Sequence, residues 1–207
     1  MWVRGQREGY GRLIHPTGDM YEGDWLNDKA NGKGTFSNLD GYTYEGEWLD
    51  DCQHGEGVET WDSNESKYTG NFRNSKKSGK GRYEWADGSY YEGDFADGVF
   101  DGQGTYYFAD LQKTYTGEFR NANMEGFGTE VYEADGQVYT GKFKRGRKHG
   151  TGTMTYPNKK QYRGPWVKNQ KHGQGVEINL KVSTQRVGEW RRGKWVRWIS
   201  ATQKIHP

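Results

Sequence analysis

Three histidines and one cysteine are the side chains best suited to holding a metal. His54, His149 and His172 each stand directly before the first glycine of a Gly-x-Gly, and Cys52 lies two residues before His54. Zinc takes nitrogen and sulfur ligands in sets of three or four. Cys52 with His54, and His149 with His172 from successive copies of one motif, therefore amount to half-sites that a second chain would have to complete. Apart from zinc at such a subunit contact, no cofactor is implied. Carboxylates also occur in pairs, Glu22 with Asp24 and Glu45 with Glu47. A pair that recurs at the same place in successive copies is a solvated face and not an acid–base couple. The Gly-x-Gly elements open no helix, so the reason glycine serves a nucleotide phosphate is missing. No catalytic constellation emerges, and the expectation is that this is not an enzyme.

A second chemistry is electrostatic. Lys142, Lys144, Arg145, Arg147 and Lys148, followed by Lys159, Lys160 and Arg163, form a basic run. Clusters of four to eight such residues attract anionic lipid headgroups at about 1 kcal/mol each. Nucleic acid would feel the same field, but the aromatic residues are committed to packing, so no nucleic-acid partner is expected. The formal net charge of +2 hides a strong asymmetry: residues 1–135 carry 26 acids and 13 bases, residues 136–207 carry 2 acids and 17 bases. Charges that far apart are screened from one another by salt, so each end meets its own partners.

These residues are positioned by a repeat. Tyr91-Glu92-Gly93-Asp94-Phe95 is followed by Gly102 and Gly104, and the same pattern recurs from Tyr21, Tyr44, Tyr68, Tyr115, Tyr139 and Tyr162, 23 or 24 residues apart. A fixed period of that length marks a repeat architecture. Tyr-x-Gly-x-aromatic alternates with period two, so the ring, the glycine and the second ring share one face of a strand. A polar loop and Gly-x-Gly then begin a second strand, giving a β-hairpin whose rings lie over bare glycines. The expected core is Tyr21 with Trp25, Tyr44 with Trp48, Tyr68 with Phe72, Tyr91 with Phe95, Tyr115 with Phe119, Tyr139 with Phe143 and Tyr162 with Trp166. Pro165 falls inside a strand without a ladder donor, which predicts an outward-facing or irregular position.

The pattern resembles the MORN repeat, whose consensus runs Tyr-x-Gly-x-Trp, a short loop and Gly-x-Gly. His-Gly is itself a variant of that consensus. The resemblance implies an all-β, elongated single-sheet solenoid of antiparallel hairpins over residues 1–207, with a partial unit 2–20, seven full units 21–185 and a degenerate terminal unit 186–207. Composition agrees: hydrophobic residues reach only 31%, too few for a thick aliphatic core, while aromatics reach 15% and glycines number 32. A solenoid needs no thick core, because each hairpin packs only on its neighbours. Trp2 stands at the second aromatic place without a preceding Tyr-x-Gly, which predicts a fragment of a longer array with Met1 a start residue. A single cysteine excludes an internal disulfide, and no signal peptide or spanning apolar run is visible, which points to a soluble intracellular protein.

In the last unit Arg186 replaces tyrosine, and a basic, apolar segment follows. Val187, Trp190, Trp195, Val196, Trp198 and Ile199 are expected to form a homodimer contact there, since large aromatics anchor interfaces. Chains made only of such repeats are similar to the MORN scaffold proteins of apicomplexan and kinetoplastid parasites. That likeness implies a self-associating, non-catalytic scaffold in the cytoplasm, on cytoskeletal structures at the membrane periphery, acting in cell division through protein partners. The alternatives are a phosphoinositide-binding membrane adaptor and, more weakly, the regulatory repeats of a lipid kinase or methyltransferase.

Overall fold

A computed structural model describes the backbone of residues 2–205 and the side chains of residues 3–205. Met1 and the Trp2 side chain, both invoked for the partial first unit, lie outside the described residues. Regular structure among the described residues is strand alone, in chain order β1 (Trp2–Val3), β2 (Gln6–Arg7), β3 (Gly9–Ile14), β4 (Met20–Leu26), β5 (Lys29–Ser37), β6 (Tyr42–Leu49), β7 (Cys52–Trp61), β8 (Ser66–Arg73), β9 (Lys76–Glu84), β10 (Tyr90–Ala96) and β11 (Val99–Phe108). There follow β12 (Lys113–Arg120), β13 (Asn123–Tyr132), β14 (Gln137–Lys144), β15 (Arg147–Thr155), β16 (Lys160–Val167), β17 (Gln170–Lys171), β18 (Gly173–Asn179), β19 (Thr184–Arg191), β20 (Lys194–Trp198) and β21 (Gln203–Lys204).

The chain divides into two compact blocks, residues 1–100 and 101–207. In the N-terminal block β1 pairs with β2, and each strand from β3 to β10 pairs antiparallel with the next. In the C-terminal block the same order runs from β11 to β16, then through β18 to β19. Neither row closes into a barrel. β17 and β18 both pair with β16 as one interrupted strand, and β20 and β21 both pair with β19. The interruption falls at His172, whose N–H reaches the Pro165 carbonyl at 3.0 Å, so the irregularity expected of Pro165 appears in its partner strand.

Alternate hairpins share one kind of short turn, the others being joined by longer loops such as residues 38–41 and 62–65. Asn27-Asp28, Asp50-Asp51, Asn74-Ser75, Asp97-Gly98, Asn121-Ala122, Arg145-Gly146, Lys168-Asn169 and Arg192-Gly193 have positive φ at both residues, from +46° to +88°. That is the two-residue turn whose twist matches the flanking strands, and it favours Asn, Asp and Gly. Neighbouring turns are also clasped. The Asp51 N–H donates to the Ala30 carbonyl at 3.0 Å while the Asp51 carboxylate accepts from the Ala30 N–H at 2.7 Å. Asn169 repeats both bonds with Lys148.

The two glycines of Gly-x-Gly serve different ends. The second lies in register with the glycine of Tyr-x-Gly on either side, so Gly11, Gly23, Gly34, Gly46, Gly57, Gly70, Gly81 and Gly93 form a ladder across eight strands. Tyrosine rings lie flat over this ladder. A Cβ on Gly57 would stand 2.6 Å from the Tyr44 ring, and one on Gly46 would meet the Gly57 Cα at the same distance. The first glycine is not under a ring, contrary to the expectation that both would be. Gly55 and Gly126 have φ of +56° and +64° beside a register shift, a backbone that other residues resist.

Each tyrosine also needs its hydroxyl. The Tyr44 O–H donates to the Glu47 carbonyl at 2.8 Å and the Tyr139 O–H to the Lys142 carbonyl at 3.0 Å, the same i to i+3 bond in every full unit. Burial pushes the Tyr21 and Tyr162 phenols up to about 12. Tryptophan at the second aromatic position adds a bond of its own, as from Trp166 Nε1–H to the Gly152 carbonyl at 3.2 Å. The rings form one edge-to-face chain per block: each tyrosine touches its own second aromatic, and Tyr21, Tyr44, Tyr68, Tyr115, Tyr139 and Tyr162 also touch that of the next unit, at 4.8–5.4 Å. Such pairs contribute about 0.5–1.5 kcal/mol each beyond area burial. Of the ring residues named from the sequence Trp48 is half-buried and the others are buried, together with Ala30, Met154, Ile178 and Trp190.

Candidate functional site

The rings occupy one face of each row, which leaves the other face of the glycine ladder bare. In the N-terminal block this bare face is the floor of an open groove of about 700 Å³ over Gly34, Gly46, Gly57 and Gly70. Glu22, Glu45, Glu47 and Glu56 line it against one base, Lys33, among the described residues. Glu22 accepts a hydrogen bond from the Tyr10 hydroxyl at 3.0 Å. Glu45, Glu47 and Glu56 have no basic partner among the described residues. The recurring carboxylates are therefore solvated, as their periodicity implied, but here they gather along a channel.

The C-terminal block replaces those acids in part: Thr116 and Thr140 stand where Glu45 does, while Glu118 keeps the place of Glu47 and, with Asp101 and Glu125, lines a second cavity beside Lys142 and Lys144. Beside its ladder runs a row of threonines, Thr105, Thr116, Thr129, Thr140 and Thr153, each in register with the next. Its basic residues gather at the turns. Lys144, Arg145, Arg147, His149 and Lys168 line a pocket of about 430 Å³ without a carboxylate. Glu125 approaches but accepts from the Arg145 backbone N–H at 2.9 Å. Lys142, Lys159, Lys160 and Arg163 are exposed too. Lys148 departs from the expected basic patch: it is 6% exposed and turned to the ring face, where its Nζ lies 2.6 Å from Glu130.

That ion cluster is the feature the sequence reading missed. Glu130, 3% exposed, faces Lys113 at 3.0 Å and accepts from the Tyr132 hydroxyl at 2.6 Å. Burial alone would push its carboxyl up, but Lys148, Tyr132 and Lys113 outweigh burial and hold it below the ordinary value. Burial likewise draws the Lys148 ammonium down, partly offset by Glu130. The N-terminal block has a smaller version, in which Glu59 meets Lys77 at 2.5 Å and the Tyr42 hydroxyl at 2.7 Å. A signal did exist. Lys148 pairs with Phe143 as Ala30, Gln53, Lys77 and Met124 pair with the second aromatic of their units, an inward column.

The candidate metal ligands stand in different settings. Cys52 and His54 are half-buried in β7, and the buried His54 Nδ1 has no hydrogen-bond partner among the described residues. His149 borders the cationic pocket and His172 is exposed. Among the described residues no three His, Cys, Asp or Glu side chains are grouped to hold a metal.

At the end of the C-terminal block the residues expected at a dimer contact fall into two groups. Trp190 is buried and continues the ring chain from Tyr162 at 4.8 Å to Trp198 at 6.0 Å. Trp198 stands opposite Gly188, where the ladder would otherwise continue, and Arg186 lies 3.4 Å over its ring. Val187 is half-buried, and its carbonyl accepts from the Ile199 and Ser200 N–H groups at 2.9 and 3.3 Å. Trp195 meets the Trp198 ring at 5.4 Å and Ile199 is held by its N–H, yet the side chains of Trp195, Val196 and Ile199 stand 51%, 45% and 46% exposed.

Rows of hairpins with one ring face and one open charged face define a repeat-based binding or scaffold module. A family model described as MORN repeat matches residues 1–20, 21–41, 44–66, 68–90, 91–112, 115–136, 139–161 and 162–178, and the chain belongs to that family. No curated protein matches it. Solved structures similar to it include the TCP10c domain of Sas-4 from Drosophila melanogaster, 13% identical over 65% of this chain and 86% of that one, with a TM-score of 0.38. A mutant TCP10 domain of CPAP from Danio rerio is 10% identical over 92% of this chain and 99% of that one, with a TM-score of 0.33. Hsv2 from Kluyveromyces lactis is 9% identical over 77% and 71%, with a TM-score of 0.22. Scores this low carry no argument about shared function. No helix among the described residues is long and apolar enough to cross a membrane.

Proposed function

We propose that this chain is a non-catalytic scaffold that pairs with a second copy through β20 and docks protein partners on its open strand face. In this reading the protein works in the cytoplasm, on cytoskeletal structures that act in cell division. The observation that carries the reading is the exposure of Trp195, Val196 and Ile199 beside a ring chain already completed by Trp190 and Trp198. Burying these three side chains contributes about 1.5–3 kcal/mol each before association entropy is subtracted. The nearby Arg191, Arg192, Lys194 and Arg197 oppose the contact, so salt strengthens it by screening them. Light scattering on Trp195→Ser with Val196→Ser and Ile199→Ser tests this: the unmodified chain is dimeric in high salt and the variant monomeric. A folded variant that stays dimeric places the interface elsewhere.

A second reading, a phosphoinositide adaptor, is favoured by the pocket of Lys144, Arg145, Arg147 and Lys168, whose cations have no acid partner among the described residues. Sedimentation with phosphoinositide vesicles at physiological salt, lost in Lys144→Ser with Arg147→Ser, is the expected result. Failure of the unmodified chain to sediment removes this reading.

A further inference from the structure

The bare groove of the N-terminal block and the basic turns of the C-terminal block carry opposite unpaired charges on one chain. We propose that the turn Lys144–Arg147 of one copy enters the acidic groove of a second copy, so that chains associate head to tail.

The groove lies over four ladder glycines on adjacent strands, about 14 Å at the usual strand spacing. Its floor is backbone without side chains, so an inserted turn meets no steric barrier from Gly34, Gly46, Gly57 or Gly70. Glu45, Glu47 and Glu56 point into it and have no basic partner within the chain among the described residues. The turn is a slim projection of matching size: two strands, β14 and β15, joined by Arg145-Gly146, with Lys144 and Arg147 directly opposite one another. Its three cations have no carboxylate partner among the described residues, and Lys168 of the next turn stands beside them in the same pocket. Each surface alone is only a solvated charge cluster. Together they are complementary in sign, in number and in shape, one concave and one convex.

The occupant is thus a second copy of this chain. Because groove and turn are different surfaces, the contact is heterologous and propagates instead of closing on itself as a two-fold dimer does. Most of its strength is between charges at the rim of the groove, which favours fast association and marked salt sensitivity. It is separate from the β20 contact, whose salt dependence has the opposite sign.

Sedimentation velocity on two charge-reversed full-length chains tests the proposal. One carries Glu45→Lys, Glu47→Lys and Glu56→Lys. The other carries Lys144→Glu, Arg145→Asp and Arg147→Glu, with Asp chosen because it tolerates positive φ. In low salt each reversed chain alone is expected to be no larger than a dimer, while an equimolar mixture regains species larger than a dimer. β20 is identical in both, so its contact, weakened by low salt, is equally weak in every arm and cannot imitate that rescue. The milder Glu45→Gln, Glu47→Gln and Glu56→Gln set keeps the fold and weakens low-salt association about tenfold or more. A mixture no larger than its separate components, or an unmodified chain whose mass does not rise with concentration beyond the dimer, overturns the proposal.

Discussion

In the N-terminal block Tyr44 lies over Gly46 and Gly57, and the turn beyond it is Asp50-Asp51; in the C-terminal block Tyr139 lies over Gly141 and Gly152, and the turn is Arg145-Gly146. The ring, the glycines and the left-handed turn are the same, and only the charge has changed sign. The glycine beneath each ring has no room for another residue, whereas the turn requires a backbone conformation and accepts acid, amide or base. Surface charge is therefore decoupled from the fold. One row presents an acidic groove and the other a cluster of basic turns on the same scaffold.

The comparison can be broken most sharply in the ring chain. Phe95→Ala in one block and Phe143→Ala in the other remove equivalent rings and should each cost about 3–5 kcal/mol through the cavity left behind. Urea unfolding measures both, and a loss under about 1 kcal/mol in either would mean the rings are not the shared core.

The buried acids sharpen the contrast. Glu130→Gln leaves Lys113 and Lys148 without their counter-charge and should cost about 3 kcal/mol, more than Glu59→Gln, which strands Lys77 alone. The folded Glu130 carboxyl titrates below its ordinary 4.5, so the stability it adds is present above that value and is lost as pH falls through the lower folded one. Unfolding free energies of the two proteins should converge in acid. A gap that widens there would reverse the assignment of Glu130 as the stabilising anion.

A smaller effect separates the two glycines of the motif. Gly128→Ala would place a methyl 2.5 Å from the Tyr115 ring and should cost about 2–3 kcal/mol. Gly126→Ala meets only the movable Glu118 carboxylate but must hold φ at +64°, for about 1–2 kcal/mol. Equal losses would erase the distinction between contact and conformation.

Much of this was legible in the residues. The tyrosine columns and the hairpin order follow from period and alternation, because rings and glycines can occupy those positions in few other ways. The role of Gly55 and Gly126 was hidden, since Gly-x-Gly spacing looks the same whether a glycine answers a ring or a bulge. Lys148 was hidden by its neighbours: within Lys142–Lys148 it looks like one more surface cation, and only its register with Phe143 turns it inward. Val187, Trp190 and Trp198 looked available for a partner because their commitment to the last hairpin depends on how residues 195–200 fold back. The groove was also invisible, because it is made by what the glycines lack on the face away from the rings.

The central claim is that one chain holds two association surfaces, a polar one spread over both blocks and an apolar one at β20. Sedimentation velocity on the unmodified protein, from about 0.05 M to about 1 M salt, tests it directly, because screening removes the first contact and spares the second. The mass is predicted to fall from large species at low salt to a dimer, twice 23.9 kDa, at high salt. A monomer throughout, or a mass indifferent to salt, would contradict it.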